Sequence, residues 1–419
     1  MPAPVPPASP APASLAPASP APAFPPSPDE AAFVGIGELP SGRYPDRSFM
    51  GGLVEVALAA VRDAGLALSD IDTLLLIPCL HSPADQADLI FSRVVEELGL
   101  GGRVKSSVML HSGGSTSDNT VRTAASLIAA GYARNVLVLQ AEKWGSAPVG
   151  EMIDMLTANG IPREWEKATG LSFNAVGALI ARRYMAVSGS TPRDMASVCV
   201  ALRAWARLNP NAMYRDRELT VDQVLGSRLV SDPLHAFECP MMADGAVGLV
   251  LTSAARARAG GEPWVRVAGS GGCVSHYSIG QEEDLAVLGW PAAAAQAYEQ
   301  AGWGPEDADV AEVYDSYAGV LTVALEGLGL APAGEAARMF AAGAFSPGGR
   351  LPVNTNGGLL SAGHTGVGGG TALLAEGVRQ LLGRAGPERQ VEGARRAVCG
   401  GSGGTYMDSQ ILLLERVTR

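Results

Sequence analysis

Cysteine and histidine are both scarce in this 419-residue chain, with five of each. The cysteines, Cys79, Cys199, Cys239, Cys273 and Cys399, show no CxxC spacing and sit in no histidine-rich neighbourhood. That pattern argues against a metal site or a disulfide frame and fits the reduced thiols of a cytoplasmic protein. Basic blocks are missing as well. With 31 Lys and Arg against 42 Asp and Glu, the formal charge is −11, and nothing in the chain is built to neutralise phosphates along a nucleic acid. No apolar run reaches the ~18–20 residues a bilayer requires, so no membrane span is expected. Nor does any glycine cluster show GxGxxG spacing after a strand with a downstream acidic residue, so a dinucleotide fingerprint is absent.

What the chain does have is enough apolar material for a large core. Hydrophobic residues make up 47% and charged residues 17%, and the length suits two domains or one large doubled one. Residues 1–29 stand apart, holding 12 of the 29 prolines among alanines and serines. Such a segment buries too little surface to offset its ordering entropy and reads as a solvated tail.

From Ala32 onward, strand-like and helix-like segments alternate. The runs 34–39, 73–78, 135–140 and 246–252 are short and apolar, as for strands buried on both faces, and 52–65 carries helical periodicity. The pattern then restarts with strands at 265–272, 310–317 and 410–417 and helices at 291–302 and 371–383. The halves share a local design. SGGSTSD precedes a helix with an apolar face of Val121, Ala124, Ala125 and Ile128, and GHTGVGGG precedes one with Leu374, Val378 and Leu381. An α/β protein made by internal duplication is expected, with halves at 30–256 and 257–419 and an insertion near 144–225, richer in charge, Trp and Met, over the active face.

The richest stretch is Asn354–Gly370, NTNGGLLSAGHTGVGGG. It presents His364 in a glycine-saturated loop just before a helical pattern, where backbone can turn sharply beside a ligand. A base or donor displayed this way calls for a partner elsewhere. By residue type alone, Ser115, Asp118 and Asn119 read as helix-start residues. His235 and Asp232 read as turn residues, His111 as a core or edge histidine with pocket lining as the second option, and Met241 and Met242 as core or interface filler.

These segments together resemble the thiolase superfamily, and within it the sterol-carrier-protein-type branch. The carriers are 112–143, 231–251, 311–317, 348–366 and 399–404, in the family's order, and the likeness covers everything after the tail. The resemblance implies a thiolase fold, two similar α/β halves in a five-layered αβαβα arrangement. It implies a coenzyme A thioester as substrate with no tightly bound cofactor, a homodimer, and catalytic roles for His364 and Cys399 at the family's GHP and CxGxG positions. Gly114, Ser115, Asn354, Gly401 and Gly403 carry over as oxyanion or substrate-loop residues.

Two departures matter. Counting back from Gly131, the family's nucleophilic cysteine falls on Gly114, and no cysteine lies between Cys79 and Cys199. Tyr314 also replaces the Asn or His of the family's NEAF-like or HDCF-like motif. That pattern resembles the thiolase-like retro-aldolases of steroid side-chain degradation, which cleave β-hydroxyacyl-CoA thioesters without an acyl-enzyme and work with a small OB-fold, zinc-ribbon partner. The expectation is therefore aldol-type chemistry with Tyr314 moving the proton. The alternatives are an acyl-CoA acyltransferase using Cys399 or Ser115, and a catalytically silent scaffold that binds acyl chains or a partner subunit.

Overall fold

The computed structural model describes residues 30–80, 89–261 and 263–418. The Pro/Ala-rich tail and His81 lie outside the described residues. The first half runs β1 (Ala31–Gly42), α1 (Phe49–Asp63), β2 (Thr73–Leu76), α2 (Ile90–Glu97), β3 (Ser106–Met109), α3 (Thr116–Ala129) and β4 (Asn135–Lys143). Helices α4 (Val149–Gly160), α5 (Phe173–Ser188), α6 (Pro192–Leu208) and α7 (Val221–Leu225) follow, then a small hairpin of β5 (Leu229–Ser231) and β6 (Leu234–His235). After β7 (Asp244–Ser253) and α8 (Ala254–Gly260) come β8 (Trp264–Val274), α9 (Trp290–Ala301), β9 (Val310–Val313), α10 (Ala318–Gly327), α11 (Ala336–Ala341) and α12 (Gly358–Ser361). The chain closes with α13 (Gly369–Leu382), β10 (Arg396–Gly403) and β11 (Asp408–Val417).

The strands form one nine-stranded sheet in the order β3-β2-β4-β7-β1-β8-β11-β10-β9. It is two sheets joined at β1–β8, where only Ala32↔Arg266 and Phe33↔Val265 pair. Outward from that seam, β1-β7-β4-β2 and β8-β11-β10-β9 repeat the same order, as a duplicated unit must. Pairing is parallel for β2–β3, β2–β4 and β9–β10 and antiparallel in the other ladders of this sheet.

The layers follow from which faces are apolar. Val121, Ala124 and Ile128 of α3 meet Leu374, Val378 and Leu381 of α13 in a central core that also takes strand residues from both sheets. The two helices therefore form the middle layer, with α1 and α2 covering the outer face of the first sheet and α9 and α10 packing outside the second. The result is the five-layered αβαβα fold, and the glycine-rich turns before α3 and α13 meet at its centre. No helix of the described residues is long and apolar enough to cross a membrane.

Candidate active site

A cavity of about 1350 Å³ opens where those turns meet, and Gly114, Tyr314 and His364 all line it. Residues from the stretch between β4 and α7, among them Ile161, Phe173, Asn174 and Tyr214, form much of its wall.

Tyr314 follows directly on the buried end of β9, where its N–H donates to Gly400 O at 2.8 Å. His364 follows α12 and is fixed by its own backbone. Its N–H donates to Met241 O at 2.8 Å, and its carbonyl accepts from Ala243 N at 2.9 Å.

The imidazole is held just as firmly. Gly366 N–H donates to Nδ1 at 3.0 Å, so Nδ1 is an acceptor and the ring proton sits on Nε2, which then donates to Tyr314 Oη at 3.0 Å. Trp144 stacks on the ring at 5.5 Å between centroids and 18° between planes, and Tyr314 meets it edge-on. Gly366 is required here. Its φ is +66°, and a Cβ would lie 2.9 Å from Trp144. Burial pulls the His364 pKa down to about 4, so the imidazole is neutral at physiological pH. Burial, with the charge of Asp315 second, pushes the Tyr314 phenol above its ordinary range.

Gly114 decides what chemistry this pair can do. A Cβ built there would lie 2.5 Å from Tyr314 Cζ and 2.7 Å from Oη, and would also press on Ser402 O. The tyrosine ring fills the volume that a side chain at position 114 would need. A nucleophile at 114 and a tyrosine at 314 exclude one another.

The other sequence candidates lie off the cavity. Cys399 is 1% exposed. It faces the middle helical layer, 3.0 Å from the Cβ position of Gly377, and burial, then Glu312 and Asp118, push its thiol up. Ser115 is fully buried, with its hydroxyl 2.6 Å from the Asp408 carboxylate. Asn354 clamps the end of β9, donating from Nδ2 to Val313 O at 2.8 Å and accepting Val313 N–H at 2.7 Å. Gly401 and Gly403 allow close packing. A Cβ at 401 would lie 2.9 Å from Ser115 Cα, and one at 403 would overlap Ser112 O. These five act behind the site, and none lines the cavity.

Met241 and Met242 line the cavity instead of filling a core. His111 takes the second of its two sequence readings, exposed at the cavity and not in a core or edge position. Trp144, Asn174, Tyr317, Cys239 and Asp408 also line it. Tyr317 Oη donates to Asn174 Oδ1 at 2.6 Å, and burial pushes the Cys239 thiol up to about 12, which leaves it protonated. Trp144 and Asn174 fall in the insertion expected over the active face, and Tyr317 in the motif that carries Tyr314. Among the described residues, no group of three or more His, Cys, Asp or Glu is placed to hold a metal ion.

A family model described as "Thiolase C-terminal domain-like" matches residues 271–416. The 17-hydroxy-3-oxo-4-pregnene-20-carboxyl-CoA lyase of Mycobacterium tuberculosis is 35% identical over 84% of this chain and 92% of its own length. The chain belongs to the thiolase superfamily. Within it the likeness is to the thiolase-like, sterol-carrier-type branch. An acetyl-CoA acetyltransferase of Methanothermobacter thermautotrophicus is 31% identical over 90% of this chain and 97% of its own length. Among solved structures, the one described as "Ltp2-ChsH2(DUF35) aldolase" superposes with a TM-score of 0.80 at 30% identity, over 92% of this chain and 97% of that one.

Proposed function

We propose that this thiolase-superfamily member is a lyase that cleaves a β-hydroxyacyl-CoA by retro-aldol chemistry. The observation that carries the reading is the Tyr314 ring standing in the side-chain volume of residue 114. It removes the position from which thiolysis starts and puts an acid–base group there instead. The lyase and aldolase names of the relatives support the same direction.

The chemistry needs a proton acceptor at the β-hydroxyl and stabilisation of the enolate left on the thioester. In our reading the Tyr314 phenolate takes the hydroxyl proton as the C–O bond becomes a carbonyl. The Cα–Cβ bond breaks, and its electron pair passes to Cα and the thioester oxygen. The Tyr314 phenol then returns the proton to Cα. The products are a ketone or aldehyde and a shortened acyl-CoA, with no net proton change. His364 Nε2–H donates to Oη throughout and lowers the cost of the phenolate without taking the proton itself. The Gly113–Gly114 turn forms part of the same cavity wall, and in this reading the thioester oxygen rests against it.

The acyltransferase alternative needs a nucleophile on the cavity, and Cys399 and Ser115 are both off it. A second copy pairing along the free edge of β3 and a separate partner subunit belong to the same proposal. The two-component name of the solved relative supports the latter.

The test is product analysis with a tertiary β-hydroxyacyl-CoA bearing a bulky apolar acyl group. Wild type is expected to release the carbonyl product, and Tyr314→Phe to lose ~10²–10⁴-fold in rate, the usual worth of a positioned acid–base group. Full activity in Tyr314→Phe would overturn the assignment.

A further inference from the structure

Asn174 stands in the first turn of α5, half-buried on the cavity wall. One end of its amide is fixed. Tyr317 Oη donates to Oδ1 at 2.6 Å, and among the described residues that oxygen is the phenol's only hydrogen-bond partner. Tyr317 is 4% exposed, and a buried hydroxyl needs an acceptor. Burial also pushes this phenol well above its ordinary range, so its proton stays in place. Were the amide turned over, its NH2 group would face the phenol oxygen and the phenol proton would have no acceptor. Oδ1 therefore stays toward Tyr317, and the two Nδ2 hydrogens point elsewhere. Among the described residues Nδ2 has no acceptor.

The local sequence makes room for this pairing. Gly177 lies one turn after Asn174 on the same face of α5. A Cβ there would lie 2.4 Å from Tyr317 Cδ2. Glycine inside a helix is unfavourable, and here the missing side chain is what lets the phenol reach residue 174. Nearby polar groups of the wall are engaged with one another. His364 Nε2–H donates to Tyr314 Oη at 3.0 Å, and Ser316 Oγ lies 2.9 Å from Tyr406 Oη.

We infer that Asn174 is a specificity-determining residue whose Nδ2 group donates to a carbonyl oxygen of the bound acyl group, and that Tyr317 is the positioning residue that orients the amide for it. The inference rests on the reading of the cavity as an acyl-CoA site. Much of the surrounding wall is apolar, with Ile161, Phe173, Met241 and Met242. An amide donor desolvated there without a partner is costly, so the site favours a ligand that brings an acceptor. That oxygen has two possible sources, the thioester carbonyl itself or a ketone farther along the acyl group.

The test is binding without turnover. The full chain would be titrated by calorimetry with coenzyme A and with two acyl-CoAs that lack the β-hydroxyl and so cannot be cleaved. One carries a bulky hydrocarbon acyl group, the other the same frame with a ketone remote from the thioester. Asn174→Asp keeps the acceptor for Tyr317 but removes the donor, Asn174→Leu removes both, and Tyr317→Phe leaves the amide free to turn. Thermal unfolding would show that each variant is folded. A loss of ~10-fold in Asn174→Asp and Asn174→Leu, confined to the ketone-bearing ligand, supports the inference and identifies the remote oxygen. The same loss for both acyl-CoAs, with coenzyme A unchanged, supports it and identifies the thioester oxygen. Tyr317→Phe should weaken the same ligands by a smaller factor. A residue that merely braced Tyr317 would be rescued by Asp, so wild-type affinity of Asn174→Asp for both acyl-CoAs would overturn the inference. Equal weakening of coenzyme A in both Asn174 variants would overturn it as well. Wild type binding neither acyl-CoA would instead refute the acyl-CoA reading on which the inference rests, and the two failures are therefore distinct.

Discussion

Replacing Gly114 with alanine adds one methyl group at the point where tyrosine and nucleophile compete for space. The new Cβ would lie 2.5 Å from Tyr314 Cζ, whereas carbon atoms rest ~3.5–4.0 Å apart. The ring must therefore withdraw by ~1 Å, because Ser402 O blocks relief on the other side. A shift of that size stretches the 3.0 Å bond between Tyr314 Oη and His364 Nε2 beyond hydrogen-bonding reach. Overpacking costs ~1–3 kcal/mol of stability, and a ~1 Å misplacement of a catalytic group costs ~10²-fold in rate. Steady-state kinetics with a β-hydroxyacyl-CoA, alongside urea denaturation, would measure both. The expectation is a folded enzyme with kcat down ~10²-fold, although Tyr314 and His364 are both retained. A Gly114→Ala enzyme with wild-type kcat would refute the claim that the two positions share one volume.

Other outcomes follow from the same geometry. Tyr314 is pushed above its ordinary pKa, so its active phenolate is a minor form, and kcat/KM should rise about tenfold per pH unit between roughly pH 6 and 8. A flat profile would count against a phenolate base. His364 has its folded pKa depressed from 6.5 to about 4, so the unfolded chain binds the extra proton in that window. Its contribution to stability should be intact above pH 6.5 and fall by up to ~3 kcal/mol toward pH 4. Denaturation of wild type and His364→Gln across that range would show a flatter slope in the variant, and parallel slopes would contradict the burial effect. Cys399→Ser should keep kcat within about threefold, because a group off the cavity supplies none of the ~10²–10⁴-fold worth of catalysis. A dead but folded variant would return Cys399 to the mechanism. Asn354→Ala strips both hydrogen bonds from Val313, and a loss of ~2–5 kcal/mol is expected in chemical denaturation. An unchanged midpoint would show that the clamp is dispensable.

The fold was legible because its signals are regular. Continuous apolar runs such as Leu74–Leu76 and Val136–Leu139 do lie in strands buried on both faces. The matched helices with Val121 and Leu374 on their apolar faces do meet in the middle layer. The site was less legible. Motif order points to the right turns, but it does not say on which face of a strand a residue stands. Cys399, Gly401 and Gly403 alternate with Gly400 and Ser402 along β10 and turn toward the helices α3 and α13 or the turn before α3, away from the cavity. Asn354 gave a polar signal in a glycine loop, yet both ends of its amide serve a neighbouring strand. The two methionines carried no signal, because a large apolar residue that walls a cavity reads in sequence like one that fills a core.

The central claim is that a carbon–carbon bond breaks here without an acyl-enzyme. The most direct measurement is a single-turnover reaction of a β-hydroxyacyl-CoA with no free coenzyme A present, read by product quantification and intact protein mass together. Stoichiometric carbonyl product and shortened acyl-CoA, with the protein mass unchanged throughout, is the predicted result. Cleavage that waits for added coenzyme A, or an acyl adduct on the protein, would contradict it.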